Sequence, residues 1–174
     1  MGRDKSLIEI DGIALVERTA TALLTAGCRD VVAIGPQHLA ATVPNVDDHH
    51  PDAGPLGGIL TALATAASSG ADAVLVVACD LPGLDAPTLS HLLGAVRSMA
   101  QPETTTPEVV MARSAGLEPL CAVWSRACEP VLQRHFDNGE RAVRRALVGI
   151  AVTEVAVPAA AVRNVNTPDE LRSE

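Results

Sequence analysis

At 174 residues the chain matches the usual size of one domain and is long enough to bury a core. Apolar residues make up 48% and charged residues 20%, which argues against a disordered chain. The net charge of -8 argues against a polyanion-binding face, and Trp124 and Phe136 as the only aromatics argue against a base-stacking platform for single-stranded nucleic acid. A small phosphate ligand stays open, because bound Mg²⁺ can supply local positive charge.

Met1-Gly2-Arg3-Asp4-Lys5 places a lysine after a turn and just before an alternating segment, residues 7–10, that ends at the turn signal Asp11-Gly12. Residues 14–26 carry apolar side chains at helical spacing (Leu15, Val16, Leu23), and Gly27 is placed to stop that helix. Residues 31–34 are continuously apolar and predict a buried parallel strand ended by Gly35-Pro36; a short helix is expected over 36–42. Residues 45–56 are polar and punctuated by Pro and Gly, a loop before a small-residue helix over 57–69. The plainest strand is 73–78, with Asp80-Leu81-Pro82-Gly83 at its C-terminal end. Pro87 fits the first position of a helix running to about residue 99, and 101–107 is a Pro/Thr linker. Strands over 109–112 and 120–123 flank a turn at Gly116; helices over 126–136 and 140–148 follow, then a strand over 152–157 and a short helix from Pro168. Strands alternating with helices predict an α/β layer fold with a largely parallel sheet, whose ligands sit outside the carboxyl ends of the strands.

Asp80 leaves the apolar strand at that edge, where a carboxylate suits Mg²⁺, although the same residue could serve a turn or cap. Lys5 suits phosphate, although a surface lysine needs no role. The loop from Asp47 to Gly58 offers glycines for close backbone approach (Gly54, Gly57, Gly58) and a carboxylate, Asp48, able to accept from a purine. His49 and His50 lack further ligands at zinc spacing. In the tail, Thr167, Pro168 and Glu170 fit a capping box, whereas Asn164 and Asn166 alternate around Val165 and would face one side of an extended chain. Glu140 is expected to pair with Arg144 on a helix. The four cysteines show no C-x-x-C and lie among apolar residues, as packing groups do. No nucleophile elbow, P-loop or dinucleotide fingerprint occurs, nor a secretory leader or an apolar run long enough to span a bilayer, so cytoplasm is the expected compartment.

Four segments in order, Met1-Gly2-Arg3-Asp4-Lys5, Gly54-Pro55-Leu56-Gly57-Gly58, Cys79-Asp80-Leu81-Pro82 and Asn164-Val165-Asn166-Thr167-Pro168, resemble the molybdenum cofactor guanylyltransferases. Gly139-Glu140-Arg141 and Pro119-Leu120-Cys121-Ala122-Val123 also fit that pattern. The resemblance implies a three-layer Rossmann-like nucleotidyltransferase domain over 1–174 with a mostly parallel sheet. It implies transfer of GMP from Mg-GTP to the terminal phosphate of molybdopterin-bound molybdenum, with pyrophosphate leaving. On this resemblance Lys5 neutralises the triphosphate and Asp80 holds Mg²⁺. Asp48 (or its neighbour Asp47) contacts the nucleotide, and Asn164 and Asn166 lie on the pterin side. Family members begin with an apolar strand ending in a Leu-Ala-Gly-Gly bend; both would lie upstream of Met1, so Met1 is expected to be internal to a longer protein. The sheet is expected to open where that strand would run. A cytidylyltransferase or another metabolite nucleotidyltransferase of this fold is a second reading, and an inert module docking on cofactor-maturation proteins a third.

Overall fold

The computed structural model describes residues 8–36, 42–99 and 108–165. In chain order they form the hairpin β1 (Glu9–Ile10) and β2 (Ile13–Ala14), then α1 (Leu15–Ala26), β3 (Ala33–Ile34), β4 (Asn45–Val46), α2 (Pro55–Ser68) and β5 (Ala73–Val77). There follow α3 (Ala86–Met99), β6 (Glu108–Arg113), β7 (Leu117–Ser125), α4 (Glu129–Asp137), α5 (Val143–Ala146) and β8 (Ala151–Ala156). Gly27 ends α1 as its position suggests: at φ 102 it turns the chain left-handed, and its N–H donates to the Leu24 carbonyl at 3.1 Å.

The larger sheet has the order β5-β7-β6-β8. β7 runs antiparallel to both β5 and β6, while β6 and β8 are parallel. Three of the four strands therefore share a direction, as expected, and β7 alone is reversed. Alternation along β6 and β7 divides the core. Val109, Met111, Ala122 and Trp124 pack against α2, α4 and α5; Val110, Ala112, Cys121 and Val123 pack against α1 and α3. Helices thus cover both faces, giving three layers. Burial pushes the Cys121 thiol up to about 12 and the Cys128 thiol up to about 11, so both remain protonated packing groups near neutrality.

β3 and β4 form a separate parallel pair. Among the described residues no ladder joins β3 to β5. Instead, a cavity of about 1100 Å³ lies between them, lined by residues 31–34 on one side, 73–78 on the other, and by α1 and α2. Native interiors rarely hold voids much larger than a water molecule, so this is an opening in the sheet and not a packing defect. It explains why β5, the most apolar strand, is only half-buried along its whole length. The same opening corrects the expected buried strand over 31–34: only Ala33–Ile34 is strand, and both residues are half-buried.

Other boundaries also move. The expected loop over 45–56 contains β4 and the first turn of α2, because Asn45 and Val46 pair with Ala33 and Ile34. Pro87 is the second residue of α3; Asp85 caps the helix by accepting the Thr88 N–H at 2.9 Å, and the Thr88 hydroxyl together with that N–H holds its carboxyl below the usual range. The helix expected over 126–136 begins at Glu129, where Pro130 lies in the first turn, after a 3-10 turn over Arg126–Cys128. β7 is longer than the four residues expected. The short helix expected over 36–42, the 101–107 linker and the helix from Pro168 fall wholly or largely outside the described residues.

The segment 140–148 is helical only over α5. Glu140 folds back instead of continuing a helix. Its Oε1 accepts the Arg141 and Ala142 N–H groups at 2.8 Å, and its Oε2 accepts Arg145 Nε at 2.6 Å. Its partner is therefore Arg145, whereas Arg144 donates to the Leu117 carbonyl at 2.6 Å. The Arg145 bond and the two amides hold the Glu140 carboxyl at about 2, below its ordinary 4.5. A depressed acid stabilises the fold above its unfolded value and loses that contribution as pH falls. Chemical denaturation between pH 5 and 2 is thus expected to show stability falling from about 4.5 downward, and Glu140→Gln should flatten that slope.

Candidate functional site

α2 and β5 bring the predicted residues to one edge. α2 starts beside the Asp48 loop, and its 14 residues carry the chain about 21 Å away. β5 and the two residues after it return the chain by a similar length before Asp80, at about 3.3 Å per residue. Asp48, Asp80 and Asn164 accordingly line the same cavity. Asp47 does not, so of the two adjacent acids Asp48 is the one placed there. Lys5 and Asn166 lie outside the described residues.

The Asp48 loop is held down by several contacts. Asp48 Oδ1 accepts the His50 N–H at 3.0 Å and the Thr61 hydroxyl at 2.8 Å. Gly54, at φ 75, turns the chain into α2 with Pro55 at the first helical position. Gly57 then permits close approach, since a Cβ there would stand 2.8 Å from His50 Cβ. The His50 ring packs 4.6 Å from that of Phe136, over which the Arg141 guanidinium lies at 3.9 Å. Two motif segments distant in sequence, the Asp48 loop and Gly139-Glu140-Arg141, are thereby joined.

The Asp80 turn is tied to the tail. The Val165 N–H donates to the Asp80 carbonyl at 3.1 Å, and Val165 itself is buried, leaving Asn164 exposed at the cavity. Among the described residues the Asp80 carboxylate accepts no hydrogen bond and forms no ion pair. Its oxygens are hard donors facing a cavity, which fits Mg²⁺. Among the described residues no group of three His, Cys, Asp or Glu residues gathers to hold a metal ion, here or elsewhere, so Asp80 would be the one protein carboxylate on it, with phosphate oxygens and water completing the shell.

Sequence reasoning passed over Glu118, which also lines the cavity. The pairing of Val77 with Cys121, and of the Ala78 N–H with the Leu120 carbonyl at 2.8 Å, runs toward Asp80, in the turn just past β5, and Glu118 on β7. Pro119 has no N–H, and here the register with β6 jumps from Ala122 to Glu118, a bulge beside the site. Asp48, Asp80 and Glu118 make this edge acidic, so a polyphosphate would enter it only with accompanying cations.

The layered α/β sheet has the fold of the nucleotidyltransferase class. A solved nucleotidyl transferase from Methanothermobacter superposes with a TM-score of 0.72 over 97% of this chain and 82% of its own, at 18% identity, which establishes the shared fold. The chain belongs to the family of MobA-like NTP transferase domains, which residues 1–152 match. A protein of Opitutus terrae named probable molybdenum cofactor guanylyltransferase is 32% identical over 148 residues, covering 83% of this chain and 70% of its own. The molybdenum cofactor guanylyltransferase of Xanthomonas euvesicatoria is 31% identical, covering 98% and 85%. No helix among the described residues is long and apolar enough to cross a membrane.

Proposed function

We propose that the chain transfers GMP from GTP to the terminal phosphate of molybdopterin-bound molybdenum. The carrying observation is that Asp48, Asp80 and Asn164, separate in sequence, line one cavity in a domain of this family. An acceptor phosphate oxygen attacks the α-phosphorus of GTP, the bond to the bridging oxygen breaks, and pyrophosphate leaves. Asp80 would hold Mg²⁺, which when bound neutralises phosphate charge and draws electron density from the reacting phosphorus. Asp48 offers Oδ2 to nucleotide donors, since Oδ1 is already engaged twice. Asn164, with Asn166 by motif, orients the pterin side, and Lys5, by motif, meets the triphosphate. No residue is needed as a covalent nucleophile; the chain aligns two phosphates and excludes alternatives.

The test is pyrophosphate release with Mg²⁺, a molybdopterin-type acceptor, and GTP or CTP. GTP is expected to be favoured by at least about tenfold in kcat/KM, the worth of one good polar contact. A preference for CTP would reassign the chain to cytidylyl transfer, and no release with either nucleotide would overturn the enzymatic reading.

A further inference from the structure

We infer that Thr61 is a positioning residue that fixes which oxygen Asp48 presents to the nucleotide. This rests on the reading of Asp48 given above. Thr61 is 1% exposed in a helix otherwise built from Leu, Ile, Ala and Gly in this stretch. A β-branched residue is a poor helix former there, and valine would fill the same space without a buried hydroxyl. The hydroxyl is fully used. It lies 2.8 Å from Asp48 Oδ1 and 3.1 Å from the Gly57 carbonyl, and it accepts the His49 N–H at 3.1 Å. It has one proton for two acceptors; the shorter, charge-assisted bond to Asp48 takes it.

Asp48 Oδ1 therefore receives two donors, Thr61 from the helix and the His50 N–H from its own loop. These occupy both of its lone-pair directions and stop the carboxylate from rotating. Oδ2 is left without a partner among the described residues. Thr61 is buried beneath the loop and acts only through Asp48, as a rigid second contact that sets the orientation of the first.

Thr61→Val removes the hydroxyl at nearly constant volume, and Thr61→Ser retains it. Titration with Mg-GTP is expected to show about tenfold weaker binding for Thr61→Val, near the value of a hydrogen bond to a charged group, with Thr61→Ser within about twofold of the parent. In an Asp48→Ala background, Thr61→Val should cost no further affinity, because the residue through which it acts is gone. A purely structural role predicts a lower Tm with the same affinity loss in both backgrounds, or none in either, and either result overturns the inference. Amide exchange of the nucleotide-free protein gives an independent readout. His49 and His50 should exchange faster in Thr61→Val and return to parental rates in Thr61→Ser; unchanged rates overturn the positioning role. If the parent chain binds neither GTP nor CTP, the nucleotide reading fails, and the exchange comparison still decides whether Thr61 holds Asp48.

Discussion

Asp80→Asn should lower GTP-dependent pyrophosphate release about 10³-fold while the protein stays folded. The Asp80 backbone is held independently of its side chain, through its carbonyl and the Val165 N–H, and the preceding residues are fixed by the ladder with β7. An amide of the same shape therefore keeps the turn but removes the charge. Loss of a Lewis-acid anchor is worth several kcal/mol, and each 1.36 kcal/mol is a factor of ten in rate, which gives the magnitude. The Tm should hardly change, because the carboxylate takes part in no hydrogen bond or ion pair among the described residues. Steady-state kinetics across Mg²⁺ concentrations would check it: a variant with parental rate and parental Mg²⁺ dependence would remove Asp80 from the chemistry.

Gly83→Ala should destabilise the protein by about 2–3 kcal/mol and weaken use of the acceptor as well. A Cβ at this position would lie 2.3 Å from the Ala160 carbonyl oxygen, a backbone atom that no rotamer change can move aside. The 3-10 turn over Ala159–Val162 must retreat, and it carries the buried Ala161 and Val162. Overpacking of this kind costs about 1–3 kcal/mol, and loss of the adjoining Val165 to Asp80 hydrogen bond adds to it. Because the tail leads directly to Asn164, the KM for the acceptor should rise more than that for GTP. Gly94→Ala is the control: its Cβ meets nothing within 4 Å inside α3, so stability should rise by about 0.5–1 kcal/mol. Urea denaturation of the two variants should show midpoints shifted in opposite directions.

The parts of this molecule legible in sequence are those that local chemistry dictates. A strand apolar at every position, carried on by Ala78 and Cys79 to an acid, announces both β5 and the edge where Asp80 stands. Gly27 ends α1 through the conformation that glycine alone adopts easily. What was hidden depends on pairing. β3 and β4 are two residues each, too short to show any periodicity, and exist because they find each other. Glu118 reaches the cavity through the β7 register and the bulge at Pro119, neither of which is written in neighbouring residues. Thr61 looked like a small helix residue because its partner is thirteen positions away. α5 begins only at Val143 because Glu140 folds back onto the Arg141 and Ala142 N–H groups ahead of it, where helical spacing had suggested an ordinary ion pair.

The most direct test is amide chemical-shift mapping with Mg²⁺ and a non-hydrolysable GTP analogue, on the parent protein and on Asp80→Asn. The nucleotide site predicts perturbations centred on Asp48, His50, Asp80 and Val165 and a strongly weakened response in Asp80→Asn. Perturbations centred away from this cavity, or an identical titration in the variant, would contradict it.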